Sequence, residues 1–390
     1  LGSRSSTPRW AIAHKFSPSL ALTQILDISI QVGRTGSLSP VAKLKPVSIG
    51  GVNVTSATLH NEDYIKGYDS RGNKIRNGRD IRINDWVIIY RAGDVIPKIK
   101  DVILEKRSHK SKKFIFPKFC PSCNQRVFKE KGEAVIRCIS GLKCRTQAID
   151  SIKHFVSKDA FNIAGFGSKI VEFFYEKNMV LKPDDIFSLE ENFGETSKNK
   201  LSDLEGWGPK SSKNLFDAIN KKKIISLDKF IFSLGIRFVG LGNAKILSKF
   251  YVKWDDFYIN ILNLVKEEDK YNNDLTNIEG IGEQCAQALI SFFKDSERIT
   301  IINNLIEKVQ IVSNKVNSKY TKLFGKNIVF TGSLEKMSRA EAKARAEAMG
   351  AMVTNTISSK TNFLVYGEKS GSKLSRANDL KIELINETEW

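Results

Sequence analysis

Between Thr23 and Val32 apolar and polar residues take turns: Ile28, Ile30 and Val32 alternate with Ser29 and Gln31, the pattern of a strand with one buried face. A turn follows at Gly33 to Gly36. Short alternating runs at 50–55, 80–90 and 95–104 are separated by Gly-, Asn- and Asp-rich clusters such as Tyr68-Asp-Ser-Arg-Gly-Asn73, a spacing that predicts a small antiparallel β-barrel. From about 150 to 315 the period changes. Phe161, Ile170, Phe173 and Phe174, then Leu215, Phe216 and Ile219, recur at helical spacing broken by Gly-x-Gly, which predicts an all-α block. Residues 313–322 are polar and without period, as in a linker. Beyond them Gly325–Leu334 reads as a strand entering a glycine turn. Ser338 is a helix N-cap, Gly350 stops that helix, and Ala351–Thr354 and Asn362–Val365 read as two further strands, so the last unit should be α/β.

Composition sharpens this picture. A chain of 390 residues holds two to three average domains, and the changes of period push the count upward. With 41% hydrophobic and 27% charged residues it can bury cores and is not a disordered tail. The net charge of +19 and a pI near 9.5 point to a polyanionic partner. No run approaches the ~18 apolar residues of a spanning helix, and Leu1-Gly-Ser-Arg-Ser-Ser-Thr-Pro8 lacks the apolar core of a secretory signal, so a cytoplasmic protein with no membrane partner is expected. Leu1 in place of Met suggests that the true start lies upstream. The charge is concentrated: Lys98 to Lys153 holds 15 basic and 5 acidic residues, together with four of the five cysteines.

Cys120, Cys123, Cys138 and Cys144 are spaced C-x2-C-x14-C-x5-C. Two short loops each presenting a thiolate pair can be bridged by tetrahedral Zn²⁺ at about 2.3 Å per sulfur. Two disulfides would need an oxidising compartment, and buried apolar thiols fit poorly among so many Lys and Arg, so a closed structural zinc site is the expected reading. Cys285 lies in an apolar helical run, where core burial is the default.

Ile163-Ala-Gly-Phe-Gly167, Leu204-Glu-Gly-Trp-Gly208 and Ile278-Glu-Gly-Ile-Gly282 share one frame, and Gly235-Ile-Arg-Phe-Val-Gly240 is a looser copy. Val171, Ser212, Ala244 and Ala286 stand four residues after the four terminal glycines, which are 41, 32 and 42 residues apart, so the repeat reads as two similar pairs. The physical reading is helix, tight turn, helix. Gly165, Gly167, Gly206, Gly208, Gly240, Gly280 and Gly282 would leave backbone N–H groups open to phosphate at helix N-termini, which predicts DNA binding without base preference. In the last unit Thr331, Gly332 and Lys373 are candidates for a phosphate site, with a turn and a solvated lysine as the equally weighted alternative.

Cysteine spacing, hairpins and last unit occur together, in this order, in one family: the chain resembles the carboxy-terminal portion of bacterial NAD-dependent DNA ligases. Pro8-Arg-Trp-Ala-Ile-Ala-His-Lys-Phe16 is similar to the last motif of that family's nucleotidyltransferase domain. Val32-Gly-Arg-Thr-Gly-Ser-Leu-Ser-Pro-Val41, Ala57-Thr-Leu-His-Asn61 and Arg91-Ala-Gly-Asp-Val-Ile-Pro97 are similar to its OB-fold signatures. The resemblance covers essentially the whole chain. It implies a multidomain protein, with the end of a nucleotidyltransferase domain at 1–19, a β-barrel OB fold at 20–106 and a small four-cysteine zinc finger at 107–148. An all-α helix-hairpin-helix domain at 149–312, a linker at 313–322 and an α/β BRCT domain at 323–390 complete it. It also implies sealing of nicked duplex DNA through an enzyme-AMP and a DNA-adenylate, with NAD as AMP donor, Mg²⁺ as working metal and structural Zn²⁺. Further implications are a DNA contact at Arg34, a contact of Lys15 with the adenylate phosphate, and a BRCT contact to a protein or a DNA end. The protein would be a monomer on the nucleoid of a bacterial cytoplasm. His14 stands where the family usually has Tyr or Phe, and Ser17 where it commonly has Pro. The family is adenylated on the lysine of a Lys-x-Asp-Gly motif, and this sequence contains no Asp-Gly dipeptide, so the chain reads as the DNA-binding portion of the enzyme, unable to self-adenylate. The rival expectation is a noncatalytic DNA-repair scaffold built from zinc, hairpin and BRCT modules.

Overall fold

The structure is a computed structural model, and it describes residues 3–4, 7–8, 10–14, 17–91, 96–130, 132–266, 275–313, 323, 326–358, 361–368 and 370–390. It divides into two compact units, 1–152 and 153–390, each described by itself. Among the described residues no helix is long and apolar enough to cross a membrane.

In the first unit β1 (Leu20–Val32), β2 (Leu38–Ile49), β3 (Val52–Thr58), β4 (Trp86–Arg91) and β5 (Pro97–Val102) close into a barrel in the order β1-β2-β3-β5-β4. Ile25, Ile28 and Val32 of β1 point into the core, and a register shift between Ile25 and Asp27 bends the strand around it. Strand β2 is absent from the sequence expectations, although Leu38, Pro40, Ala42 and Leu44 alternate inward. Its prolines hid it, since Pro cannot donate to a ladder and argues against a central strand. Pro46 falls inside the register break between Lys43 and Val47, where no ladder donor is needed. Closure of the barrel rests on one parallel pair, Thr58 with Lys98.

The cysteine-rich segment adds a two-stranded hairpin, Val127–Lys129 with Ile136–Cys138, and Phe116, Cys120, Cys138 and Cys144 join the same buried cluster as the barrel interior. Strands of three residues are too short to stand alone. The segment is therefore held by its sulfurs and by the barrel.

The second unit opens with helices around an aromatic core, where Phe155 stacks on Phe161 at 4.3 Å, Phe230 meets Trp254 at 4.8 Å and Phe257 meets Phe293 at 5.9 Å. A short parallel pair, Ile224–Ser226 with Gln310–Val312, ties the middle of this helical array to its end. The last part is a parallel sheet in the order Met352–Thr354, Asn327–Thr331, Phe363–Tyr366, Glu383–Asn386, with helices Arg339–Ala348 and Gly371–Asp379. The Glu341 N–H donates to the Ser338 hydroxyl at 3.2 Å, as an N-cap requires. Trp390 packs edge-on against Phe330 at 5.2 Å. The fold class expected from sequence, a barrel, a small four-cysteine domain, an all-α hairpin domain and an α/β domain, is what the structure contains. The interval 314–322, most of the expected linker, lies outside the described residues.

Candidate nucleic-acid interface and metal site

Helices Ser168–Glu176, Pro209–Asn220, Leu241–Tyr251 and Glu283–Phe293 begin directly after Gly167, Gly208, Gly240 and Gly282. The N–H groups of Val171, Ser212, Ala244 and Ala286 return to the carbonyls of those glycines at 3.0, 3.0, 2.9 and 3.1 Å, and all four residues are buried. Their burial, and not the backbone bond, explains the small or aliphatic residue at a fixed offset. A glycine N-cap has no side-chain acceptor of its own, so N–H groups of the first two helical residues remain for an outside anion. In the second helix only that of Lys210 remains, because Pro209 has none, while the Ile170 and Cys285 N–H groups turn back to Gly167 and Gly282 at 3.0 Å. A Cβ added at any of the four glycines would meet nothing within 4 Å, which leaves room for a phosphate to approach.

Two residues before each terminal glycine the chain turns through the left-handed region, at Gly165 (φ +80), Gly206 (φ +83) and Gly280 (φ +92). The looser copy departs in a way its glycine count conceals. Gly235 closes the preceding helix, and the left-handed place at the turn is taken by Phe238, at φ +61. The register set by Ala244 places Phe238 opposite Gly165, Gly206 and Gly280, and the residue type there gives no sign that it takes their backbone.

The hairpins pack as two pairs. A Cβ at Gly165 would touch Leu215 at 4.0 Å, and Phe174 stacks on Trp207 at 5.4 Å, which joins the first two hairpins. A Cβ at Gly280 would lie 2.7 Å from Ile246 Cδ1, and the Asn243 amide reaches the Cys285 sulfur at 3.6 Å, which joins the last two. Cys285 is buried, and burial raises its thiol pKa. Charge separates the copies. Lys169 and Lys210 are exposed second residues of the first two helices and Lys245 is exposed one turn further along the third, whereas the fourth starts with Glu283, and the Glu279 carboxylate on its turn holds the Lys343 ammonium at 2.8 Å.

The four clustered cysteines bring their sulfurs within 4.8 Å of one another, with Cys120–Cys144 at 3.9 Å and Cys123–Cys138 at 3.5 Å. A tetrahedron of Zn–S bonds near 2.3 Å sets sulfurs roughly 3.8 Å apart, so the donor set fits zinc. Burial pushes the Cys120 thiol up to about 12. Burial also opposes ionisation of Cys123, but the Gln125 N–H and the Ser140 hydroxyl outweigh it and draw that thiol down to about 7. Four thiolates this close repel one another, and a divalent cation is what would let all of them ionise.

This cluster is seated on the β1–β2 turn. The Cys138 N–H donates to the Gly36 carbonyl at 2.8 Å, Arg137 donates to the Thr35 hydroxyl at 3.1 Å, and the Gln147 amide donates to the Cys138 carbonyl at 3.2 Å. Gly36 and Gln147 are positioning residues that sequence reasoning passed over. Arg34, a candidate DNA contact, is half-buried in the same turn. Lys15, the candidate phosphate contact, lies outside the described residues.

In the α/β part Thr331 is buried and donates its hydroxyl to the Ser370 carbonyl at 3.2 Å, while Arg339 donates to the Gly332 carbonyl at 2.5 Å. Lys373 donates to the Asn355 carbonyl at 2.7 Å, and burial, then Arg339 and Lys343, lower its pKa. The three candidates lie at one end of the sheet, with their polar groups engaged within the domain.

Comparison with known families matches residues 22–111 to the NAD-dependent DNA ligase OB-fold domain and 119–145 to the NAD-dependent DNA ligase C4 zinc finger domain. Residues 229–302 match the helix-hairpin-helix motif and 318–390 the BRCA1 C Terminus (BRCT) domain. The whole chain is 46% identical to a DNA ligase of Roseobacter denitrificans and covers 55% of it. It is likewise 46% identical to a DNA ligase of Rhizobium rhizogenes and 47% to one of Bartonella bacilliformis, covering 56% of each. The chain thus spans about half the length of the curated relatives it matches.

Proposed function

The chain carries the domain set of the carboxy-terminal portion of NAD-dependent DNA ligases, and on that premise we propose that the intact protein seals nicks in duplex DNA, with these 390 residues as its DNA-holding part. NAD supplies AMP in that reaction and Mg²⁺ is its working metal. The four-cysteine cluster is the donor set for structural zinc in this chain, and NAD and Mg²⁺ are cofactors of the intact protein. Lys15 is assigned to the adenylate phosphate by its motif alone. The intact protein acts as a monomer on nucleoid DNA in the bacterial cytoplasm, and its BRCT domain contacts a protein or a DNA end.

The observation that carries the DNA reading is the set of four helix N-termini in one register, each capped by a glycine with open space before it. Backbone donors bind phosphates, phosphates carry no sequence, and Arg34 adds a cation from the barrel turn. The basic stretch and the lysines of three hairpins add counterion release. The test is a titration of nicked and intact duplexes over a salt series. Sequence-indifferent binding with a clearly negative slope of log K against log salt is expected. A flat salt response, or strong preference for one base sequence, would overturn the reading.

A further inference from the structure

Phe238 is the wrong residue for its backbone. In the three sibling turns the left-handed position is glycine, and a bulky side chain at φ +61 costs folding free energy that glycine would not. The side chain does not recover that cost by burial, because Phe238 remains 42% exposed. It stands two residues before Gly240, and Leu241, 39% exposed, comes immediately after that glycine. The corresponding neighbours in the sibling hairpins are Gly165 and Ser168, Gly206 and Pro209, and Gly280 and Glu283. One hairpin in four therefore flanks its expected phosphate position with two exposed apolar groups. The ring is also held in place: the Arg237 guanidinium lies 4.4 Å from its centroid, and the Phe238 carbonyl accepts from the Asn243 amide at 2.8 Å.

We propose that Phe238 is a specific DNA contact of the third hairpin, a pre-positioned aromatic foot that rests on deoxyribose and base edges in the groove of the bound duplex. The proposal rests on the reading that the hairpins hold DNA. Phosphate contacts release counterions and weaken with salt, whereas an aromatic group against sugars and bases releases none. Phe238 thus supplies a part of the affinity that persists at high salt. The contact is made by a ring face and not by hydrogen bonds to bases, so it tolerates any sequence.

The test uses the whole chain and a nicked duplex of fixed sequence, titrated at several salt concentrations. Phe238→Gly removes the ring and relaxes the turn, and Phe238→Asn does the same with a residue that tolerates the left-handed region. Both variants are expected to melt no lower than the parent chain and to bind about tenfold more weakly at every salt concentration, with an unchanged slope. Phe238→Tyr, which keeps the ring, is expected to bind within about twofold of the parent. Glycine and asparagine variants that bind as tightly as the parent would overturn the aromatic contact while leaving the DNA reading intact. A loss confined to low salt, with a shallower slope, would overturn it too, because the effect would then be one of charge. A parent chain without salt-dependent binding would overturn the DNA reading itself and the contact with it.

Discussion

Gly36 and Gly208 illustrate two opposite demands on a glycine. At Gly36 the backbone has φ +75, and a Cβ would lie 2.0 Å from the Cys138 carbonyl oxygen. Both obstacles are backbone, so Gly36→Ala is expected to destabilise the first unit by about 2–4 kcal/mol, read as a lower denaturation midpoint and faster zinc loss. A midpoint equal to the parent's would show that the turn can move away from the cysteines. At Gly208 φ is −141 and the space ahead is open. Gly208→Val should keep stability within about 1 kcal/mol, yet place methyl groups where a phosphate would sit. Duplex affinity is expected to fall on the order of tenfold without a change in sequence preference. Gly282→Val is expected to cost less, because Glu283 already opposes an anion there; equal losses would remove that charge from the account. In the barrel, Arg107 donates to Asp80 at 2.7 Å and to the Asp85 carboxylate at 2.6 and 2.8 Å. Burial alone would raise the Asp80 pKa, but hydrogen bonds from Arg82 and Arg107 outweigh it and hold the carboxyl below its usual value. A carboxylate depressed in the folded state adds stability that is complete above its unfolded value, about 4, and is lost as pH falls through the folded one. Melting temperatures measured from pH 6 downward should drop in that acid range, and Asp80→Asn should flatten the drop.

Among the elements, the cysteine segment depends most on something outside its own hydrogen bonds. Its two strands pair over three residues each, and its buried sulfurs belong to the barrel's cluster. Zinc binding there is folding free energy, on the order of 10 kcal/mol in small zinc domains. Purified, reduced protein is expected to carry one zinc per chain by elemental mass spectrometry, and a folded sample with less than about 0.2 would contradict the site. Because the ligands bind as thiolates, acidification should release the metal together with a chelator-sensitive early melting step. Cys138→Ala should abolish both the zinc and that step. The hairpins obey a different logic. Each buries a residue four places after its glycine, so their frame is set by packing, while the residues around the glycines, which face open space, vary in charge and bulk.

For the molecule as a whole, the proposed role is to hold DNA, and chemistry requires more than holding. The sequence has no Asp-Gly dipeptide and therefore no Lys-x-Asp-Gly motif. Incubated with NAD and Mg²⁺, this chain is expected to show no covalent AMP by intact mass spectrometry and no sealing of a nick. An acid-labile adduct at stoichiometric level would overturn that division of labour. A misplaced amine is a poor replacement, since a displacement of about 1 Å already costs on the order of 100-fold in rate.

Much of this was legible locally. Ile28, Ile30 and Val32 report a strand because the pleat has period two, the C-x2-C pairs report a metal because a tetrahedron needs two pairs, and the four glycines report helix starts because a helix must expose its first N–H groups. The resemblance to NAD-dependent DNA ligases rests on such strings. Other features needed the folded chain. Strand β2 forms despite Pro46 because that residue falls in a break of the ladder where no donor is required, and Pro40 stands opposite Ile30 while its carbonyl accepts from the Leu59 N–H. The barrel closes through Thr58 and Lys98, the hairpins pair through Leu215 and Ile246, and Gly36 yields to Cys138, all contacts between segments distant in sequence. Phe238 takes a glycine's backbone because the helices on either side fix where the turn must fall. No local window holds these energies, since each depends on a partner that arrives only when the chain has folded.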